Sequence, residues 1–221
     1  MRILLIEEPR IRAFLARGLG AEGFAVDESE DGESGLQRAL DDDYDLVILD
    51  LLLPKTDGLE VLATLSEQRP QLPVLILSAR ADLRTKLRGF ELGASDYLAK
   101  PFSLEELLAR ARVQIRRRTS NGNGGNVQRV GRLVLDLARH EARIDGRAAE
   151  LTAGEFRLLH HLVLHAGEVV SRERLLADVW GYHFDPRSNV VDVCIRRLRK
   201  KLGSNAPIET VRHAGYRLSA A

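Results

Sequence analysis

The sequence predicts two domains, an α/β domain built on a doubly wound, five-stranded parallel sheet and, after it, a smaller α+β domain. Short apolar runs alternate with amphipathic segments five times over the first half, as strands and helices do in such a sheet. A polar stretch near the middle separates this half from short alternating segments and a cation-rich amphipathic helix. The length of 221 residues also suits two domains better than one.

The strands of the first half are apolar runs rich in branched residues, as in a parallel sheet that is buried on both faces. We place strands at residues 3–6, 46–49, 74–77 and 96–99. The segments between them have the apolar spacing of helices, at residues 10–19, 33–40, 58–68, 83–92 and 104–115. Strand and helix therefore alternate along the first 118 residues.

A polar side chain follows each of these strands: Glu7 and Glu8, then Asp50, then Ser78, then Lys100. The carboxyl ends of parallel strands share the edge at which open α/β folds bind ligands. Asp50 alone could equally well open the following loop, but its companions favour a site. Carboxylates with waters and phosphate oxygens suit Mg²⁺, and a carboxylate nucleophile can form an aspartyl phosphate. The hydroxyl and the ammonium would then hold the phosphoryl oxygens.

The border between the domains lies at TSNGNGGN, residues 119–126, a composition typical of a flexible linker. We therefore predict domains at 1–118 and 127–221. The first contains 17 Lys and Arg against 21 Asp and Glu, and the second 16 against 11, so the second is expected to meet a polyanion. A single Cys and the absence of a secretory or membrane-spanning apolar stretch indicate a soluble, cytoplasmic protein.

The second half begins with short alternating strands at 130–136 and 142–144, and Asp145-Gly146 is the signature of a hairpin turn. Thr152 and Glu155 predict a capping box at the start of a helix. A second helix starts at Ser171 and leads to Trp180, which we expect in the core. His161 and His165 have a metal-binding spacing, but no acidic or Cys partner is evident, which favours ordinary surface histidines.

A third helix, at residues 189–202, carries the functional signal of this half. Its apolar stripe is Val191, Ile195, Leu198 and Leu202, and the opposite face is expected to present Asn189, Val193, Arg196, Arg197 and Lys200. Arg can pair with guanine, Asn with adenine, and Val can touch a thymine methyl in the major groove. A solvated helix is the alternative, but such a helix would mix acids with its cations, and none follows Asp192. The strands 208–211 and 216–218, with a basic tip between them, complete a winged helix-turn-helix.

Residues 1 to about 118 resemble the receiver domain of two-component response regulators. The resemblance rests on the acidic pair, DLVILDLLLP, Asp57-Gly58, the hydroxyl at Ser78, and DYLAKPF. It implies a flavodoxin-like fold in which Asp50 is the phosphoacceptor and Ser78 and Lys100 bind the phosphate. It further implies Tyr97 as the switch aromatic, a cis bond before Pro101, and a Mg²⁺ site formed by Glu7, Glu8, Asp50 and the Leu52 carbonyl.

The second half resembles the effector domain of the OmpR/PhoB family, through LTAGEFRLL, VVSRERLL, NVVDVCIRRLRKKL and TVRHAGYRL. The resemblance implies that Arg196, Arg197 and Arg199 bind DNA from the recognition helix and that Arg212 does so from the wing. The loop 181–188 matches one that touches RNA polymerase in some relatives. In this sequence Cys194 replaces a frequent His, and His213 replaces the first Gly of the usual wing motif.

The same resemblance implies a two-fold receiver dimer on phosphorylation. Lys86, Asp96, Glu106 and Arg110 match charged positions of its interface, with reciprocal Lys86–Glu106 and Asp96–Arg110 pairs across the axis. Ordinary exposed charges are the alternative. Ser95 stands where a second Asp is usual.

These observations predict a DNA-binding transcriptional regulator, not an enzyme, that a sensor histidine kinase phosphorylates on Asp50 with Mg²⁺ and that binds promoter DNA as a dimer. One departure keeps alternatives open, because the acidic loop is one residue short and its usual Asp is a Glu. A longer side chain in a shorter loop is expected to weaken the Mg²⁺ site, unless Glu acts through a bridging water. The alternatives are a phosphorylation-independent regulator and a phosphorelay intermediate.

Overall fold

The computed structural model describes residues 1–54, 56–79, 82–119, 127–181, 189–203 and 206–219, with the backbone alone at 116–119. The chain divides into two compact units, Met1–Thr119 and Ser120–Ala221. The helix that the sequence ends at residue 115 continues to Thr119, and the rest of the predicted linker lies outside the described residues. No helix in the described ranges is long and apolar enough to cross a membrane.

The first unit is the predicted doubly wound sheet. Its strands are all parallel, in the order β2-β1-β3-β4-β5. The elements are β1 (Arg2–Ile6), α1 (Pro9–Ala21), β2 (Ala25–Ser29), α2 (Gly32–Asp41), β3 (Leu46–Asp50), α3 (Gly58–Gln68), β4 (Val74–Ser78), α4 (Leu83–Leu92), β5 (Asp96–Ala99) and α5 (Leu104–Thr119).

The central strands of this sheet are apolar because helices cover both faces. β3 and β4 are buried along their whole length, and Ile3, Leu5, Ile48, Leu75 and Leu77 belong to one hydrophobic core. At the edge of the sheet, β2 has the sequence AVDES and is only half-buried. An edge strand of this kind has no apolar run by which the sequence could reveal it.

Polar caps and one glycine contact shape the loops at the carboxyl edge of the sheet. Asp31, Asp57 and Asp82 each cap the following helix by accepting from a backbone amide. Directly after Asp57, Gly58 packs so closely that a Cβ there would lie 2.5 Å from the carbonyl oxygen of Asp50. Helix α3 therefore begins against the backbone of the strand end that carries Asp50.

Replacing Gly20 by Ala should raise the free energy of unfolding of the first unit by about 0.5 kcal/mol, because Ala loses less backbone entropy in a helix. Gly20 is exposed near the end of α1, and a Cβ there would meet no atom within 4 Å. The matched control is Gly18→Ala, whose Cβ would lie 2.6 Å from Leu104 and should remove the gain. Urea unfolding measures both variants; equal stabilisation by the two would contradict this reading.

In its described residues, the second unit is an α+β domain with two antiparallel sheets, ordered β6-β7-β8-β9 and β10-β12-β11, and three helices. The elements are β6 (Val127–Val130), β7 (Leu133–Asp136), β8 (Glu141–Ile144), β9 (Arg147–Ala149), α6 (Ala153–Leu164), β10 (Val169–Val170), α7 (Arg172–Trp180), α8 (Val190–Leu202), β11 (Ile208–Val211) and β12 (Gly215–Leu218).

Residues with positive φ mark the turns between the strands of the first sheet of this unit. The predicted strand 130–136 began too early: Gly131, at φ 55°, turns the chain between β6 and β7, and the strand itself starts at Leu133. Asp145 and Gly146, at φ 50° and 80°, form the predicted two-residue hairpin turn between β8 and β9. Both positive values favour an Asp-Gly sequence, since Asp tolerates and Gly favours this conformation.

The helices of the second unit carry the predicted caps and core. Thr152 and Glu155 form the capping box of α6, and Ser171 caps α7. Trp180 is buried at the end of α7, in agreement with its predicted place in the core. At the tip between β11 and β12, His213 has φ 59°, a conformation that Gly adopts more readily than other residues.

Candidate phosphoacceptor and DNA-binding sites

Three strand ends bring two carboxylates and one ammonium together at the edge of the first sheet. Asp50 is 3% exposed at the end of β3, and Glu7 is fully buried after β1. The Lys100 Nζ atom, after β5, donates to Asp50 Oδ2 at 2.8 Å and to Glu7 Oε1 at 2.9 Å. This gathering follows directly from the parallel sheet, in which β1 and β5 flank the β3–β4 pair.

The remaining contacts fix the backbone around Asp50. Its Oδ1 atom accepts from the Leu52 amide at 2.9 Å, which leaves the Leu52 carbonyl in the loop directly after the strand. Ser78 is buried at the end of β4, and its carbonyl accepts from the Lys100 amide at 2.9 Å. The Lys100–Pro101 peptide bond is cis, as the resemblance implied. The end of β4 thus lies beside the residue that reaches Asp50.

The environment of this site shifts the pKa of Glu7 and of Lys100. Burial of Glu7, with a smaller effect from Asp50, raises its pKa to about 7, although Lys100 lowers it. Burial alone would lower the pKa of Lys100, but Asp50 and Glu7 together raise it. Glu7 Oε2 lies 2.8 Å from the Lys100 Nζ atom without hydrogen-bond geometry, and it is a buried oxygen without a hydrogen-bond donor.

The donor set fits a Mg²⁺ ion that keeps several waters. Mg²⁺ is held in proteins by one or two carboxylates, which Glu7 and Asp50 provide, and the unbonded Glu7 oxygen is a suitable ligand. Glu8 differs from the sequence expectation in its placement: it is exposed, and its backbone amide donates to Glu7 Oε1. Within the described ranges, no cluster of three or more His, Cys, Asp or Glu could hold a metal by side chains alone.

Glu7→Gln should flatten the pH dependence of stability of the metal-free protein. Because the folded state raises the pKa of Glu7 to about 7, above its unfolded value, its protonation contributes stability below the unfolded pKa. That contribution is lost as the pH rises through about 7. Denaturant unfolding in EDTA from mildly acid to mildly alkaline pH should therefore show wild-type stability falling relative to the variant. A constant difference would contradict a raised pKa.

The face formed by α4, β5 and α5 differs from the sequence expectation in one pair. Asp96 is fully buried and accepts from Arg110 at 3.1 Å in the same chain, so this pair does not need a second copy. Arg110 also contacts Glu106 at 2.8 Å. Tyr97 is buried, and the Lys86 Nζ atom lies 5.9 Å from the centre of its ring. Asp96 and Arg110 are thus paired within one chain, whereas the sequence predicted a pair across a dimer axis.

Helix α8 presents fewer of its predicted residues than the sequence suggested. Asn189, Arg196 and Lys200 are exposed, as predicted. The predicted exposure of Val193 was wrong, because this residue is only 6% exposed and belongs to the core. Arg197 is less exposed than predicted: its side chain is 18% exposed and pairs with the buried Glu155. Seven residues of α8 are buried, so its apolar face is wider than a single stripe.

Arg199 is directed toward the wing. Its guanidinium donates to the Ile208 carbonyl and to the Thr210 hydroxyl, both at 2.9 Å. Beside it, Asp192 of α8 contacts the Tyr216 hydroxyl on β12 and accepts from Arg172 at 2.8 Å. These contacts tie α7, α8 and the wing strands together. The sequence pattern did not reveal this network, because its members are brought together from separate elements of the domain.

The remaining predicted residues lie in the wing, in α8 and at the end of α6. Arg212 is exposed at the wing tip, and residues 182–188 of the predicted polymerase loop lie outside the described residues. Cys194 is buried, and its burial raises the pKa of the thiol to about 12. The prediction that His161 and His165 lack an acidic partner was wrong. Asp178 Oδ2 lies 3.6 Å from His161 Nε2, and Glu168 Oε2 lies 3.2 Å from His165 Nδ1.

Known proteins share this combination of domains. The family model for the response regulator receiver domain matches residues 3–112, and that for the C-terminal domain of transcriptional regulatory proteins matches residues 146–218. Transcriptional regulatory protein HprR of Escherichia coli is 41% identical, over 98% of this chain and 97% of its own length. Transcriptional activator protein IrlR of Burkholderia pseudomallei is 43% identical, over 98% and 95%.

Solved structures agree with these matches. The structure of a mutant of RitR has a TM-score of 0.78 at 32% identity and covers 100% of this chain and 99% of its own. DrrB of Thermotoga maritima, described as an OmpR/PhoB homologue, has a TM-score of 0.52 at 31% identity, with 99% and 98% covered.

Fold, site and relatives together define a two-component response regulator, a receiver joined to a winged-helix DNA-binding domain. The chain belongs to the OmpR/PhoB family of these regulators.

Proposed function

We propose that a sensor histidine kinase activates this regulator by phosphorylating Asp50, and that the activated form binds promoter DNA as a dimer. The observation that carries the proposal is the pair formed by the buried Asp50 and Lys100 at the edge of the receiver sheet. Asp50 is a carboxylate beside a cation, and the same chain carries a DNA-binding domain. A phosphoryl group accepted by Asp50 would therefore act on transcription. The names of the relatives, which are transcriptional regulators, support this reading.

In the proposed transfer, a carboxylate oxygen of Asp50 attacks the phosphorus while the bond to the kinase histidine nitrogen breaks, and that nitrogen leaves with the electron pair. Lys100 then neutralises part of the charge on the phosphoryl oxygens, and the hydroxyl of Ser78 donates to one of them. Glu7, Asp50 and the Leu52 carbonyl would hold Mg²⁺, with the exposed Glu8 acting through water. The ion supplies further positive charge at the transferring group.

Dimerisation would use the α4–β5–α5 face. Lys86 and Glu106 are the pair proposed to form across the two-fold axis. Asp96 is buried against Arg110 within one chain, whereas Glu106, which also contacts Arg110, has a side chain that is 43% exposed and can accept from a second copy. Linking two DNA-binding domains raises the effective concentration of the second domain on a repeated site. Tyr97, a buried residue of β5 whose ring lies near Lys86, is the proposed reporter of phosphorylation to this face.

The proposed DNA-contacting residues are the exposed cations and amide of the second domain, namely Asn189, Arg196, Lys200 and Arg212. Arg199 would contact DNA beside its wing contacts, and the loop 181–188 is the proposed surface for RNA polymerase. Since its target is chromosomal DNA, we place the protein in the cytoplasm.

One observation favours a second candidate, a regulator that acts without phosphorylation. Lys100 already occupies both carboxylates of the acidic site, and Glu8 does not join them. A metal would have to compete with that ammonium for Glu7 and Asp50. A site so neutralised would bind Mg²⁺ weakly.

Labelling with acetyl phosphate over a range of Mg²⁺ concentrations separates the two candidates. The first predicts a labelled wild-type chain and an unlabelled Asp50→Asn variant, by mass spectrometry of the intact protein. Labelling that is absent at every Mg²⁺ concentration, with promoter binding retained, would instead support the second. A duplex selected from a random pool by the full-length chain provides the DNA for this comparison.

A further inference from the structure

Glu155 is a fully buried carboxylate that holds two cations of helix α8. Its Oε1 atom accepts from Arg197 Nε at 2.5 Å, and its Oε2 atom accepts from Lys201 Nζ at 2.7 Å. The same Oε2 atom accepts from the Thr152 amide at 2.8 Å as part of the capping box. One side chain thus joins the first turn of α6 to two successive turns of α8.

This arrangement fixes the rotation of α8 about its own axis. Arg197 and Lys201 are four residues apart and lie on the same side of the helix. Consecutive residues of an α-helix are rotated by about 100° from each other about the helix axis. Arg196 and Lys200, which precede them, are therefore directed away from Glu155 and are exposed.

Electrostatics keeps Arg197 in place. A buried carboxylate is tolerated only where cations and hydrogen bonds compensate its lost hydration. The side chain of Arg197 is only 18% exposed, and it supplies one of the two cations. Moving its guanidinium to a phosphate or a base would leave Glu155 with Lys201 and one backbone amide.

We propose that Glu155 and Arg197 form a positioning pair, which sets the sequence specificity of DNA binding by fixing the rotation of α8, and that Arg197 does not itself contact DNA. The proposal rests on the DNA-binding face proposed above, with Arg196 and Lys200 as its cations. It assigns adjacent arginines of one helix to different tasks. Arg196 faces the nucleic acid, and Arg197 holds the helix that presents it.

Glu155→Gln in the full-length chain is the sharpest test, because the two readings predict changes of opposite sign. Gln also serves in a capping box, so the helix cap is retained while both ion pairs are lost. If Arg197 were a DNA contact restrained by Glu155, the variant would release a cation and bind DNA more tightly. A positioning pair predicts weaker binding of the selected duplex by about tenfold, comparable to the loss of one base-pair contact. Binding of a scrambled duplex should hold or rise slightly.

Salt dependence supplies a readout that a merely structural defect would not change. Each phosphate contact adds about one unit to the magnitude of the negative slope of log affinity against log salt concentration. Arg196→Gln should therefore reduce the magnitude of that slope by about one. Arg197→Gln should weaken specific binding and leave the slope unchanged. Affinities are corrected for the active fraction by stoichiometric titration, so that loss of folded protein does not imitate loss of specificity.

Tighter binding of the selected duplex by Glu155→Gln, an unchanged ratio of specific to non-specific affinity, or a slope reduced in magnitude by Arg197→Gln would overturn the proposal. If Glu155→Gln does not fold, Lys201→Gln takes its place, with a smaller loss of specificity and an unchanged slope expected. The underlying DNA-binding face is tested separately. If Arg196→Gln and Lys200→Gln both leave affinity and slope unchanged, that face is wrong whatever Glu155 does.

Discussion

Lys100→Met is expected to lower the free energy of unfolding of the metal-free receiver by about 3 kcal/mol at alkaline pH, because it leaves two buried carboxylates without their cation. Glu7 is fully buried and Asp50 is 3% exposed, and both lose their contact with the Lys100 Nζ atom. At acid pH the cost should shrink, since protonation of Glu7 removes the repulsion. Urea unfolding of the first transition measures the effect.

Added Mg²⁺ should restore much of the stability of this variant. A bound cation stabilises the folded state by about 2.7 kcal/mol when its concentration is a hundred times its dissociation constant. The wild-type protein should gain less, since Lys100 competes with the ion there. The matched control is Lys86→Met, on α4 beside Tyr97, which should respond to Mg²⁺ as the wild type does. If Mg²⁺ stabilised wild type and Lys100→Met equally, the account of the acidic site would be wrong.

Gly215→Ala is expected to unfold or severely destabilise the winged-helix domain, by about 3 kcal/mol or more, while the receiver stays intact. Gly215 has φ 142°, which L residues rarely adopt. A Cβ there would lie 2.1 Å from the Val170 carbonyl oxygen and 2.8 Å from the Ser171 Cα atom. Neither backbone atom can move without separating β10 from β12. Thermal unfolding should show the transition of the second domain at a lower temperature.

Gly181→Ala is the control for backbone conformation alone. Gly181 ends α7 at φ 74°, and a Cβ there would meet nothing within 4 Å, so its cost should be about 1 kcal/mol. DNA binding should be lost only in Gly215→Ala, and acetyl phosphate labelling should persist in both variants. Equal stability of the two variants would contradict the close packing of the wing against β10.

The sequence predicted that Glu7, Asp50 and Lys100 come together, because their meeting follows from the topology of the sheet. Once the apolar runs are identified as parallel strands, their carboxyl ends must meet, and Asp50 and Lys100 are brought together although they lie fifty residues apart. Helices α3 and α4 matched their predicted bounds, since Asp57 and Asp82 cap them. The strand β2 escaped detection, because an exposed edge strand with the sequence AVDES has no apolar pattern.

The face of α8 was predicted less well, for a physical reason. A stripe of four apolar residues places one side of a helix in the core. However, α8 packs against both α6 and α7, and Val193 and Cys194 are buried as well. The burial of Arg197 depends on Glu155, which lies 42 residues earlier in the chain. The capping-box pattern revealed that Glu155 lies in the first turn of a helix. It gave no sign that the same carboxylate would reach α8.

The central claim is that negative charge gained at Asp50 increases binding of promoter DNA through pairing of two chains. The most direct measurement compares wild type with Asp50→Asn for occupancy of the selected duplex, before and after treatment with acetyl phosphate and Mg²⁺, while light scattering follows self-association. The account predicts that wild type gains both occupancy and dimer on treatment and that the amide variant gains neither. An equal response from the two proteins would contradict it.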